Sequence, residues 1–385
     1  MKLLGKNLFG QTYSLPAYTD MTALMRECRQ QAVVAVALSD LCIPDDPTFT
    51  RTVYQAVLHN NVVFSEHTLL HERLTENGIP YVILKGASSA HYYPQPMLRA
   101  MGDVDFLVKQ ADMDRVCALL QADGYVMQGE EHPMHHVFVK EDTHLEAHFT
   151  FAANVNPEID RLVGEYMASV IDQAELVSAR HCTCMLPDKF HHGLILLLHM
   201  QRHMLTEGLG LRHLCDWAVF VHAFTDHEFS DLFREPLKKI GLWKYARIVS
   251  LSAHIGLGLP YADFMGGDYD LAEKLLQDIL CSGNFGRRDK GRINERFFIS
   301  RKSDTGKEQN RIETFRYQIN RSIIAHWPGA EKNAALRLFG WLYFPLRRVF
   351  LRLTKKRSSL KLVKRYKKSA VRREIYAELH LFETE

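Results

Sequence analysis

From residue 21 to 79, apolar side chains recur at spacings of three and four. MTALMRECRQQAVVAVALSDLC and TRTVYQAVLHNNVVFSEHTLLHERLTENG therefore predict helices, the second stopping at Gly78 ahead of Pro80. The period then shortens to that of strands. PYVILKG and DVDFLV are short β-rich runs, with SSAHYYP as one or two helical turns between them. ADMDRVCALLQADGY follows, a helix with aspartate caps and a terminal glycine, and then the strands HHVFVK and THLEAHFTF, joined through KEDT as a hairpin. From about 157 to 282 helical periodicity returns, clearest in KFHHGLILLLHMQRHML and LRHLCDWAVFVHAF. The pattern divides the chain into an N-terminal helical region (1–79), an α/β core (80–155), a helical domain closing over it (156–282), a polar loop or linker (283–312) and a tail (313–385).

Composition adds little until charge is mapped. The chain has 385 residues, 46% hydrophobic and 24% charged, which suits a globular protein with a real core. Neither a signal-peptide apolar run nor a span of about 18 apolar residues is seen, and seven scattered cysteines form no disulfide framework, so a cytoplasmic protein is expected. The net charge of +3 conceals a division. Arg337 to Arg373 holds 14 Lys and Arg with no Asp or Glu, leaving 34 basic against 45 acidic residues elsewhere.

LRAMGDVDFLV, residues 98–108, places two acids inside an apolar run. On a strand, Asp103 and Asp105 share a face while Val104 and Phe106 point to the core. Like charges held that close raise each other's pKa unless a cation intervenes, and a hard divalent ion fits carboxylate oxygens while leaving positions for phosphate. A solvated pair at a strand end is the plain alternative. Two neighbours favour the ion. Upstream, Lys85-Gly86-Ala87-Ser88-Ser89 joins a strand to a helix start whose free N–H groups suit an anionic phosphate. Downstream, Glu146 alternates with Leu145 and Ala147, so a third acid can join from a neighbouring strand, with His148 on the same face.

These residues carry a resemblance. YVILKGASSAHYYPQPMLRAMGDVDFLVKQADMDRVCALLQADGY, with THLEAHF after it, resembles the uncharacterised bacterial nucleotidyltransferase family of the polymerase-beta-like superfamily; LLLHMQRHML and LGLRHLCDWAVF resemble that family's downstream helices. The resemblance implies an α+β fold: a small mixed sheet with flanking helices, embedded in a larger helical structure. It implies that Asp103, Asp105 and Glu146 bind Mg²⁺ or Mn²⁺, Glu146 also orienting or activating the attacking hydroxyl. Lys85, Gly86, Ser88 and Ser89 would hold the triphosphate of an NTP, and Arg99 would neutralise its charge or simply pair with Asp103 or Asp105. The family's turn is commonly Gly-Ser or Gly-Gly; Gly86-Ala87 departs from it. The implied reaction moves a nucleoside monophosphate to an unknown hydroxyl acceptor with release of pyrophosphate, with surface-polysaccharide biosynthesis as one setting.

Other features admit rival readings. His199 and His203, at i and i+4, with His191, Arg212, His213 and Asp216 nearby, could form a His/Asp metal-dependent hydrolase centre, or His203 and Arg212 could lie beside the substrate as the helix closes on the nucleotide. His148 could orient a ligand rather than bind metal. A nonenzymatic regulator that keeps the fold is a further alternative, as is a phosphotransferase. Cys182-Thr-Cys184 is expected to be structural. In the tail, Trp341, Tyr343, Phe344, Phe350 and Leu353 interleave with cations, and Pro345 breaks the periodicity. That composition suits an anionic membrane surface, the chain's own acidic body or, less well, nucleic acid.

Overall fold

The computed structural model describes residues 1–41, 46–128, 134–151, 157–179 and 181–288, with some positions between 316 and 343 and residues 370–383. They fall into two compact units, 1–289 with 380–385, and 290–379. Among the described residues no helix is long and apolar enough to cross a membrane.

The first unit opens with helices α1 (Lys2–Phe9), α2 (Met21–Gln31), α3 (Val34–Leu38) and α4 (Pro47–Glu76). Asp46 caps α4, its Oδ1 accepting from the Phe49 amide at 2.9 Å, and Gly78 ends it at φ 59° as Ile79 N–H donates back to Leu74 O. The chain then enters β1 (Tyr81–Ile83), the single turn α5 (Ala87–Ala90), β2 (Val104–Val108), α6 (Met113–Ala122), β3 (Val126–Gln128), β4 (His135–Lys140) and β5 (Thr143–His148). The sheet order is β1-β2-β5-β4-β3; β2 and β5 run parallel and the remaining pairs antiparallel. Lys140 pairs with Thr143 across the expected hairpin. The aspartate cap expected on α6 does not form. Asp112 instead accepts from Arg115 at 2.6 Å, a charged donor outcompeting the amides.

One sheet face is the core. Val104, Phe106, Phe138, Leu145 and Ala147, all 1% exposed or less, pack with Phe64, Leu70 and Leu74 of α4 and Val116 and Leu120 of α6. Alternation sends Asp105, Glu146 and His148 to the other face.

Residues 156–282 are not wholly helical. After α7 (Pro157–Met167), β6 (Glu175–Ala179) and β7 (Cys182–Leu186) form an antiparallel hairpin, with β7 against α4 and β1. Cys182, Cys184 and Leu186 are buried on its inner face. Strict alternation over so few residues is a weak periodic signal, and tertiary packing supplied the rest. Helices α8 (Lys189–Leu205), α9 (Leu211–His222), α10 (Asp226–Lys239), α11 (Trp243–Leu257) and α12 (Tyr269–Ser282) complete the unit.

Of the linker expected over 283–312, residues 289–312 lie outside the described residues, as do 344–369 of the basic tail, including Phe344, Pro345, Phe350 and Leu353. In the second unit, residues 334–343 and Ala370–Leu379 are helical. There Trp341 donates its indole N–H to Asn320 Oδ1 at 2.8 Å, and Tyr343 packs on Trp327 with ring centroids 5.0 Å apart.

Candidate active site

The parallel register sets Asp105 of β2 directly beside Glu146 of β5, and Asp103 lies two residues before Asp105, just ahead of the strand. The Leu84 amide donates to the Asp105 carbonyl at 2.9 Å, which ties the turn after β1 to β2 and delivers Lys85 Nζ to within 2.8 Å of Asp105 Oδ1. His148 Nε2 lies 3.3 Å from Asp105 Oδ1 and 3.5 Å from Glu146 Oε2. Opposite on β4, His135 pairs with His148, their ring centroids 4.8 Å apart.

Electrostatics separates the two aspartates. Burial alone would raise the Asp105 carboxyl, but the Lys85 ammonium and the His148 hydrogen bond hold it well below the usual carboxylate range. Asp103 goes the other way. Its partial burial and the like charges of Asp105 and Glu146 raise its carboxyl. His148 is raised as well, because hydrogen bonds to Asp105 and Glu146 outweigh its burial. Lys85 thus compensates Asp105 and leaves Asp103 facing its acidic neighbours.

Gly86 turns the chain at φ 71°, and a Cβ there would stand 3.0 Å from His67 Nε2. The backbone conformation and the tight space both call for glycine. Ser88 donates to the Ile83 carbonyl at 2.6 Å, whereas the buried Ser89 hydroxyl has no partner among the described residues. His67, fully buried on α4, donates from Nδ1 to the Val63 carbonyl at 2.7 Å and leaves Nε2 unpartnered beside this turn; burial pushes its pKa down to about 4. Sequence reasoning missed His67, His135 and Asn60. The Asn60 amide donates to Met97 O and its carbonyl accepts from Met101 N, pinning the loop that leads to Asp103. A polar residue on the inner stripe of the long helix was the available signal.

Arg99 is placed at neither Asp103 nor Asp105. Its guanidinium makes a bidentate pair with Asp216 of α9, Nε to Oδ1 at 3.0 Å and Nη2 to Oδ2 at 2.7 Å, and Tyr93 donates to the same Oδ1 at 2.7 Å. All three are at most 5% exposed, so this fork is committed to tying the loop before β2 to the helical half.

The expected His/Asp set is not brought together. Asp216 belongs to Arg99, and His191 lies in the first turn of its own helix, its ring bonding the N-cap Asp188 Oδ2 at 2.7 Å and Tyr166 O at 2.9 Å. His199, His203 and His213 do meet, each offering one nitrogen within 4.8 Å of the others. Arg212 lies with its guanidinium 5.0 Å over the Phe285 ring, and burial and the Arg99 charge lower its pKa to about 10. Burial, and after it the Lys85 charge among others, lowers all three histidines of the cluster, so the cluster lies within electrostatic reach of the acid site. A second set, His135, Glu146 and His148, also falls within 4.8 Å.

Asp105 beside Glu146, with Asp103 just ahead of β2, supplies carboxylate oxygens, the donor type that hard divalent cations prefer. A family model described as uncharacterised nucleotidyltransferase matches residues 18–256. No curated protein matches the chain.

Proposed function

Given that this chain belongs to the uncharacterised nucleotidyltransferase family, we propose that it transfers a nucleoside monophosphate from an NTP to a hydroxyl acceptor at the face carrying Asp103, Asp105 and Glu146. The observation that carries this reading is the parallel β2–β5 register, which sets Asp105 beside Glu146 next to the Lys85-Gly86 turn. Asp103, Asp105 and Glu146 would hold Mg²⁺ or Mn²⁺, which neutralises phosphate charge and lowers the pKa of a bound hydroxyl.

The protein's own residues do the rest. Lys85, close to Asp105, exchanges that carboxylate for the triphosphate, and the Ser89 hydroxyl and the backbone at Gly86 remain available to phosphate oxygens; Ser88 is committed to the Ile83 carbonyl. Glu146 accepts the acceptor's proton as its oxygen bonds the α-phosphorus, the α–β bridge breaks, and pyrophosphate leaves with the electron pair. His148, bonded to both Asp105 and Glu146, orients them. His203 on α8 and Arg212 on α9 would be the residues on the acceptor's side. Arg99 positions the loop before β2 through Asp216. An acceptor in surface-polysaccharide synthesis is the setting the resemblance favours.

Incubating the purified protein with each α-labelled NTP, Mg²⁺ or Mn²⁺ and a cell extract tests this. Label should pass to an extract component with release of pyrophosphate, and Asp105→Asn should remove the transfer. Transfer that survives Asp105→Asn unchanged places the chemistry elsewhere.

A further inference from the structure

We propose that His199, His203 and His213 form a second, separate metal site, open at one position, for a borderline d-block cation of the zinc type. Each imidazole brings one nitrogen within 4.8 Å of the other two, from two helices, with ring centroids 4.3 to 5.5 Å apart. Three imidazoles and a free fourth position are a zinc-type donor set, and hard cations such as Mg²⁺ prefer the oxygen donors on the sheet.

The surroundings point the same way. His203 donates from Nδ1 to Glu207 Oε2 at 3.2 Å, which leaves its Nε2 lone pair free, and Glu207 in turn accepts from Thr206. A carboxylate behind a histidine fixes the tautomer that a metal needs and strengthens the ligand. His213, 2% exposed, has its Nε2 buried without a partner. A buried imidazole nitrogen without a partner needs a hydrogen-bond acceptor while it carries the ring proton, or a cation once the proton has moved to the other nitrogen. Its Nδ1 accepts from the Gly210 amide at 3.3 Å, a long hydrogen bond. Ligation through Nε2 moves the ring proton to Nδ1 and exchanges that bond for a coordinate one, with no net proton release. Phe285, held at φ 52° among the left-handed conformations, packs on His203 at 4.6 Å and on His213 at 5.0 Å and walls the cluster.

Full-length protein stripped with chelator and titrated with Co²⁺ is the test, followed by Zn²⁺ displacement. One equivalent of Co²⁺ should give visible ligand-field bands that Zn²⁺ abolishes and excess Mg²⁺ does not. His203→Asn and His213→Asn should each remove the bands, and Glu207→Gln should weaken Co²⁺ affinity about 10- to 100-fold. His135→Asn and Glu146→Gln, on the sheet, should leave the bands in place. Thermal melts of every variant separate loss of the site from loss of the fold, and X-ray absorption of the wild-type cobalt form should count three imidazoles. Absence of stoichiometric Co²⁺ binding overturns the proposal, as do bands that persist in a folded His213→Asn protein or vanish in Glu146→Gln.

Discussion

Asp103 and Asp105 have the same side chain, two residues apart, and opposite electrostatic fates. Asp105 has Lys85 at 2.8 Å and His148 at 3.3 Å, whereas Asp103 faces Asp105 and Glu146 with less compensation. A raised carboxyl is a destabilised anion: its contribution is most favourable below the unfolded pKa and is lost as pH rises through the folded value. Asp103→Asn should therefore melt at the same temperature as the wild type or higher at pH 7, the difference shrinking as pH falls toward 4, while transfer falls on the order of 100-fold or more. Melts across pH beside the labelling assay check both halves. Asp105 has the opposite sign. Its depressed pKa stabilises the fold above the unfolded value near 4 and that stabilisation is lost in more acid solution, so Asp105→Asn should lower the melting temperature at neutral pH.

A residue-scale prediction also attaches to the buried pair. Arg99→Met leaves Asp216 charged and buried at 3% exposure, and should cost about 3–5 kcal/mol in urea unfolding. Adding Asp216→Leu should recover part of that, because it removes the unpaired charge while the buried Tyr93 hydroxyl loses its acceptor; no recovery at all would assign the loss to packing instead.

Among the elements, α4 organises the site without touching the chemistry. It buries Phe64, Leu70 and Leu74 under the sheet, sets His67 against the Gly86 turn, and through Asn60 holds both Met97 O and Met101 N. Asn60→Ala leaves a buried amide and a buried carbonyl without partners. A loss of about 1–3 kcal/mol is expected, with a fall in turnover larger than any change in NTP affinity, since the loop it pins leads to Asp103 rather than to Lys85. Urea titration and steady-state kinetics would separate the two effects. The long helix itself was legible from its three-and-four spacing and its Gly78-Pro80 stop. The β6–β7 hairpin was not, because its strands are short and β7 is held by burial against α4 and β1.

Across the whole molecule the charge is divided rather than balanced. Fourteen cations between Arg337 and Arg373 accompany a remainder of 34 basic and 45 acidic residues. Such a segment should bind vesicles containing anionic lipid at low salt, and the binding should weaken as ionic strength rises through about 0.15 M. Deleting residues 344–369 should abolish it in a sedimentation assay, and persistence after deletion would place the contact elsewhere.

The strand–turn–helix–strand order, the face of Asp105 opposite to Val104 and Phe106, and the place of Glu146 opposite to Leu145 and Ala147 were all set by the chain's own periodicity, since alternation is a local property of a strand, whereas Asp103 lies just ahead of β2. Tertiary structure decided the partners. It aligned β2 with β5 so that Asp105 meets Glu146, gave Lys85 to Asp105 and Arg99 to Asp216, and gathered His199 and His203 with His213. Pairings such as Asp105 with His148 and Arg99 with Asp216, 43 and 117 positions apart, depend on how helices and sheet pack, and side-chain spacing along one segment carries no record of that.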